Sequence, residues 1–188
     1  MSNHDSAVAA KTGTWRIDPA HSRVGFGVRH MMFSTVKGSF PGVEGKVVLN
    51  EEDVTNSEVE VRIDASSIDT ANEDRDKHLR SEDFFDVESH PHITFRSTGV
   101  RQDGDRLLVA GDLTIRGATR PVELEAEKLG GGLDPWGNQR VGFSAATRIN
   151  RKDFGLTWNQ ALEAGGVLVG DEVRISLDIQ AVEESEEE

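Results

Sequence analysis

The chain has 188 residues, 36% of them apolar, and a formal net charge of −13, which fits one domain with a substantial core and leaves a second domain unexpected. So acidic a body is repelled by phosphate backbones and by anionic membrane surfaces, and no basic stripe with interleaved aromatics offsets this, which excludes nucleic acid as a partner. The absence of cysteine excludes disulfides, thiolate nucleophiles and thiolate-held metals together.

In chain order, residues 1–13 read as a flexible N-terminus. Their only apolar run is Ala7 to Ala10, with an acid before it, which lacks the charged start and long apolar stretch of a secretory signal. No run approaches a membrane span, so a cytoplasmic protein without membrane insertion is expected. The first strand places Val24, Phe26, Val28 and His30 on one face and Arg23, Gly25, Gly27 and Arg29 on the other. Val59, Val61 and Ile63 repeat the pattern.

Thr70 to Phe85 breaks the alternation and reads as helix. Thr70 and Glu73 have capping-box spacing, Glu73 and Lys77 lie four residues apart, and Asp74 stands opposite His78. The face is mostly polar. Leu79 and the Phe84–Phe85 pair are its only means of docking, so the segment reads either as a lid on a β body or as a solvated crossover.

Alternation then resumes with Ile93 and Phe95; with Leu107, Val109, Leu113 and Ile115; and with Val122, Leu124 and Ala126. It continues with Val141, Phe143, Ala145 and Ile149, then with Val173, Ile175, Leu177, Ile179 and Ala181. Turn chemistry separates these runs at Asp18-Pro19, Asp103-Gly104, Gly130 to Gly132, Asp134-Pro135 and Gly165-Gly166. The fold class is all-β. Roughly eight strands with one dry face each either close into a barrel or pack as two sheets. A barrel of about eight strands is just wide enough to be filled by its own side chains or to hold one small ligand. The last residues, 183–188, are acidic and read as a disordered tail.

Three tempting signals carry no function. Asp153-Phe154-Gly155 lacks the rest of a kinase signature. His90 and His92 flank a proline that holds them extended, and with distant His78 they make a poor metal set. Gly25 and Gly27 precede no helix, so they read as bends in a coiling strand. No metal or other cofactor is expected.

Four phrases in order carry a family likeness. They are WRIDPAHSRVGFGVRHMMFSTVKGSF (Trp15 to Phe40), the segment Asn72 to Thr98 with its FDVESHPHITFRST ending, LTIRGATRPVELE (Leu113 to Glu125) and RINRKDFGLTWN (Arg148 to Asn159). Together they resemble the YceI-like family of polyisoprenoid-binding proteins, over residues 14–182. The resemblance implies a single antiparallel lipocalin-like barrel, with a short helical insertion near 70–85, around a linear isoprenoid such as a polyprenyl diphosphate or a quinone tail. Many members carry a leader, which this chain does not display.

On that footing the candidate lining is Phe26, Val28, Phe95, Leu113, Phe143, Ile175 and Leu177, each equally readable as core filler. Phe33, Phe40, Phe84, Phe85 and Trp158, in or beside connecting segments, either gate a mouth or cap the core. His30 is either a satisfied core histidine or a contact for a quinone carbonyl or diphosphate oxygen. Arg75 and Asp76 brace the lid, or Arg75 holds a diphosphate. A non-enzymatic carrier or store is expected, as a monomer or homodimer. The alternatives are an enzyme using His30 with a nearby carboxylate, and a structural protein with a filled barrel.

Overall fold

A computed structural model describes residues 12–163 and 165–185. The flexible N-terminus expected over 1–13 lies outside the described residues except for Thr12 and Gly13, which open a strand. Of the acidic tail, Glu183 still belongs to the last strand, and 186–188 lie outside.

Ten strands and one α-helix follow the sequence: β1 (Thr12–Ile17), β2 (Arg23–His30), β3 (Ser34–Phe40), β4 (Val43–Asn50), β5 (Glu58–Asp64), α1 (Glu73–Arg80), β6 (His92–Asp103), β7 (Arg106–Ile115), β8 (Ala118–Leu133), β9 (Gln139–Asn150) and β10 (Val169–Glu183). β1 with β2, and β3 with β4, are two arms of one long hairpin. Val24 faces Phe40 in one half and Arg16 faces Lys46 in the other. One arm is broken by the turn Pro19–His21, where Asp18 accepts the Ala20 N–H at 3.0 Å. The other is broken at Pro41, which has no N–H to give a ladder. β10 then pairs antiparallel with β2 through Val173 to Asp178 and with β1 at its far end, Glu183 facing Trp15. The result is a closed antiparallel barrel of eight strands, as expected from the one-sided runs.

The wall is incomplete at one place. The outer edge of β3 is bonded to the segment after β5 at a single bridge, Ser39 to Asp69, with both N–H···O distances 2.9 Å. Residues 65–91, including α1, cover this edge and the adjoining mouth. α1 is shorter than the helix predicted over 70–85, and its cap is Asn72, whose side chain accepts the Arg75 N–H at 3.0 Å. The capping box on Thr70 does not form. Thr70 instead donates from its N–H and hydroxyl to Asp76 Oδ1 at 2.9 and 2.5 Å; the buried carboxylate, 6% exposed, takes the N–H expected to bond the Glu73 side chain and the hydroxyl expected to accept the Glu73 N–H. His78 bonds Asp83 at 2.8 Å rather than Asp74. The Gly130–Gly132 run is also not a break: it lies inside β8, just past a register shift between Lys128 and Gly130.

Inward side chains of all the strands form the core, in two clusters. The larger holds Phe40, Ile63, Phe84, Phe95, Leu113 and Phe154 among others. The smaller, at the opposite end, holds Trp15, Val47, Leu49, Val141 and Ala181. Two glycines decide how the aromatic rings lie. A Cβ on Gly38 would stand 2.4 Å from Phe26 Cζ, and one on Gly111 would stand 2.4 Å from Phe95 Cζ. Both rings therefore lie over a neighbouring glycine, along the wall rather than across the axis.

At the far end Arg140 ties four segments together. Its Nη1 donates to Asp18 Oδ2 and Gln180 Oε1, and its Nε to Asp134 Oδ2, all at 2.8 Å. The guanidinium holds the Asp18 and Asp134 carboxyls down at about 2, with further help for Asp18 from His21 and for Asp134 from the Asn138 N–H. Both titrate lower in the folded protein than in the unfolded chain, near 3.8, so this stabilisation is complete above that pH and is lost as pH falls from 3.8 toward about 2. Melting temperature measured across that range should fall for the native chain. In Arg140→Gln the melting temperature should start lower at neutral pH and fall less steeply; an equally steep fall would place the acid sensitivity elsewhere.

Candidate ligand-binding cavity

The barrel is not filled. A cavity of about 270 Å³ runs inward from the end where β2, β9 and β10 meet α1, and a second chamber of about 90 Å³ lies beyond it. Val61, Leu124 and Leu177 line both, at their junction. The smaller core cluster meets the second chamber through Val47 and Leu49.

Alternation along each strand puts the lining in place. β2 contributes Phe26, Val28 and His30; β6 contributes Phe95; β7 contributes Leu113; β10 contributes Ile175 and Leu177. Phe40 ends β3, Phe84 and Phe85 follow α1, and Trp158 belongs to the segment after β9, and all four line the same cavity. Their rings interlock: Phe84 lies 5.3 Å from Trp158, Phe85 is 5.7 Å from Phe40 and edge-on, and His78 stands edge-on to Trp158 at 4.7 Å. These segments therefore make one aromatic cover over the mouth.

Phe143, predicted on the lining, and Phe33, predicted to gate a mouth or cap the core, lie away from this first cavity. Phe143 faces the second chamber, because its position on β9 is four residues deeper than Thr147, which faces the first. Phe33 is 86% exposed and touches neither chamber. It sits in the β2–β3 turn, beyond the last paired residues His30 and Ser34, where parity no longer applies. In the same turn Met31 and Met32 have φ of 52° and 63°, a left-handed conformation that costs an ordinary side chain about 1–2 kcal/mol each.

Polar groups on the lining are few, and most lie at the mouth. Arg29 and His30 end β2, Thr70, Arg75 and His78 belong to the lid segment, and Arg151 follows β9; only Thr147 lies within a strand beyond them. Arg75 braces the lid, its Nε donating to Thr70 Oγ1 and its Nη2 to the Thr70 carbonyl, both at 2.7 Å. Arg151 is 3% exposed. It donates to the carbonyls of Leu156, Trp158, Gly170 and Val169 at 2.6, 2.9, 2.7 and 3.2 Å, and burial pulls its pKa down. Among the described residues no aspartate or glutamate lines the cavity, so His30 has no carboxylate partner there of the kind acid–base chemistry requires.

Sequence reasoning placed Val61, Ile63, Ile93, Ile115, Val122 and Leu124 on inward faces without singling them out, and all six line the cavity. Parity was the signal that would have found them. Arg151 gave none, because a charged residue after a strand ordinarily points to solvent.

A closed antiparallel barrel around an apolar chamber, opened at one end under an aromatic cover, defines a lipocalin-like fold. The family model of the YceI-like domain matches residues 15–181. The chain belongs to the YceI-like family. It is 42% identical over 153 residues to Protein YceI of Escherichia coli O157:H7, covering 80% of each chain. Among solved structures, BcnA of Burkholderia cenocepacia superposes with a TM-score of 0.77 at 22% identity, over 87% of this chain and 98% of that one. A polyisoprenoid binding domain from Saccharophagus degradans, implicated in plant cell wall breakdown, gives a TM-score of 0.65 at 15% identity, over 93% and 100%.

Proposed function

We propose that the protein binds a linear polyisoprenoid lipid, a polyprenyl diphosphate or an isoprenoid quinone, with its tail in the barrel, for carriage or storage and not for catalysis. The observation that carries this is the distribution of polarity: an apolar chamber extended by a second one, with arginines and histidines gathered at the mouth. The likeness to the S. degradans domain supports it. Each methylene withdrawn from water contributes about 0.8 kcal/mol, so a few isoprene units offset association costs on the order of 4–15 kcal/mol. The head group stays at the mouth, near Arg29, His30 and Arg75, since the chamber beyond offers a charged or carbonyl head only Thr147.

Native mass spectrometry of protein incubated with a polyprenyl lipid tests the reading. A one-to-one complex is expected. Val122→Trp, which fills the chamber from the β8 wall, should weaken it at least about tenfold while the melting temperature moves little. A protein that never retains or accepts any prenyl lipid, or a Val122→Trp variant that binds as well as the parent, would overturn the proposal.

A further inference from the structure

The β2–β3 hairpin departs from the character of the rest of the chain. Between Asp18 and Glu44 the sequence holds no acidic residue, in a chain with 34 of them. Its tip is Met31-Met32-Phe33, exposed at all three positions, with Met32 at 62%. Met31 N–H donates to the Leu168 carbonyl at 2.8 Å, and this joins the tip to exposed Val167 and to a rim residue of the cavity. Arg29 and Lys37 flank the tip on its two strands, and neither makes an ion pair among the described residues. Glu163 is the acid in the adjoining loop.

Two features argue that the tip is placed there for contact. A turn with two successive positive-φ residues is ordinarily Asn-Gly, which relieves the strain; here both positions are methionine. The apolar side chains are also contiguous with the mouth, not scattered over the surface. Charge acts over a Debye length of about 8 Å at physiological salt. Besides Glu163, the acids on the chain packed against Arg29 are Asp171 and Glu172, which follow Gly170, and they are paired with Lys152 and Arg174 at 3.4 and 3.5 Å, so the tip responds to Arg29 and Lys37 more than to the rest of the net charge.

We infer that the β2–β3 tip is a docking element for a bilayer surface bearing anionic headgroups, with Phe33 and Met32 entering the interface and Arg29 and Lys37 meeting the phosphates. Seated this way, the barrel mouth faces the bilayer. The inference goes beyond lipid binding in the cavity and does not need a bound isoprenoid.

Flotation with phosphatidylcholine–phosphatidylglycerol vesicles, using ligand-free protein, tests it. The native chain should float with these vesicles, less with pure phosphatidylcholine, and less again at high salt. The variant Met31→Asn/Met32→Gly/Phe33→Ser relieves the turn and removes the apolar tip, so its melting temperature should rise while vesicle binding drops about tenfold or more. Its retention of a prenyl lipid presented in detergent should be unchanged, which separates failure of docking from failure of the cavity reading. No flotation of the native chain, equal flotation of the variant, or a concentration-dependent dimer of the native chain that the same substitutions abolish without any vesicle binding would overturn it.

Discussion

Arg151→Met is expected to lower the free energy of unfolding by about 3 kcal/mol or more and to loosen ligand retention with it. Methionine roughly matches the aliphatic stem but withdraws the guanidinium donors from the carbonyls of Leu156, Trp158, Gly170 and Val169. Val169 keeps a second donor in the Asn159 amide at 2.7 Å; the others lose theirs. Burial already makes the charged guanidinium harder to hold, so its retention in the core reflects how completely those carbonyls occupy it. Because Leu156 and Trp158 line the cavity, the loss is transmitted to the mouth. Arg151→Lys keeps the charge without the planar fork, and a rescue of less than half is expected. Urea denaturation of the three proteins measures this. A full rescue by lysine would mean that charge, through Asp171 at 3.9 Å, matters more than the fork.

Phe84→Ala and Phe85→Ala should separate stability from binding. Phe84 is 7% exposed and packed between Trp158 and His78. Truncating it should cost about 3–5 kcal/mol of stability. Phe85 is half-buried and touches Phe40 edge-on across the rim, so its truncation should cost about half as much. Its effect on prenyl-lipid retention should be the larger of the two relative to stability lost, because the ring covers the mouth without filling the core. Paired urea melts and native mass spectra decide it. If Phe85→Ala destabilises as much as Phe84→Ala and retains lipid as well as its stability predicts, the second ring is core and not cover.

The barrel was legible in the sequence because each strand buries one face, and parity alone carried Phe26, Val28, Phe95, Leu113, Ile175 and Leu177 to the cavity wall. The same rule fails at turns. Phe33 follows the last ladder pair, and nothing in its neighbours announces that the chain there has positive φ at Met31 and Met32. Depth along the axis is a second blind spot, since parity gives the face and not the level, and it does not tell that Phe143 lines the deeper chamber. The lid segment misled in a third way. Thr70 and Glu73 have the right spacing for a capping box, yet the buried Asp76 takes the Thr70 N–H that the Glu73 carboxylate would have accepted, and also the Thr70 hydroxyl that would have accepted the Glu73 N–H, a contest that only tertiary burial decides. That the barrel is hollow was open from composition. It depends on Gly38 and Gly111 accepting the rings of Phe26 and Phe95, which is a cross-strand relation.

The single Ser39–Asp69 bridge on the outer edge of β3 has a mechanical consequence. Everywhere else around the ring, parting two strands means breaking a ladder of several backbone bonds, for instance the pairs from Thr94 with Thr114 to Asp103 with Arg106 between β6 and β7. Along this one seam it means breaking two, a net cost of about 1–3 kcal/mol, together with the contacts of the lid. The fold thus carries a seam along the outer edge of β3, closed by those two bonds and by the side chains of residues 65–91, and the wall parts there at lower cost than along a paired ladder.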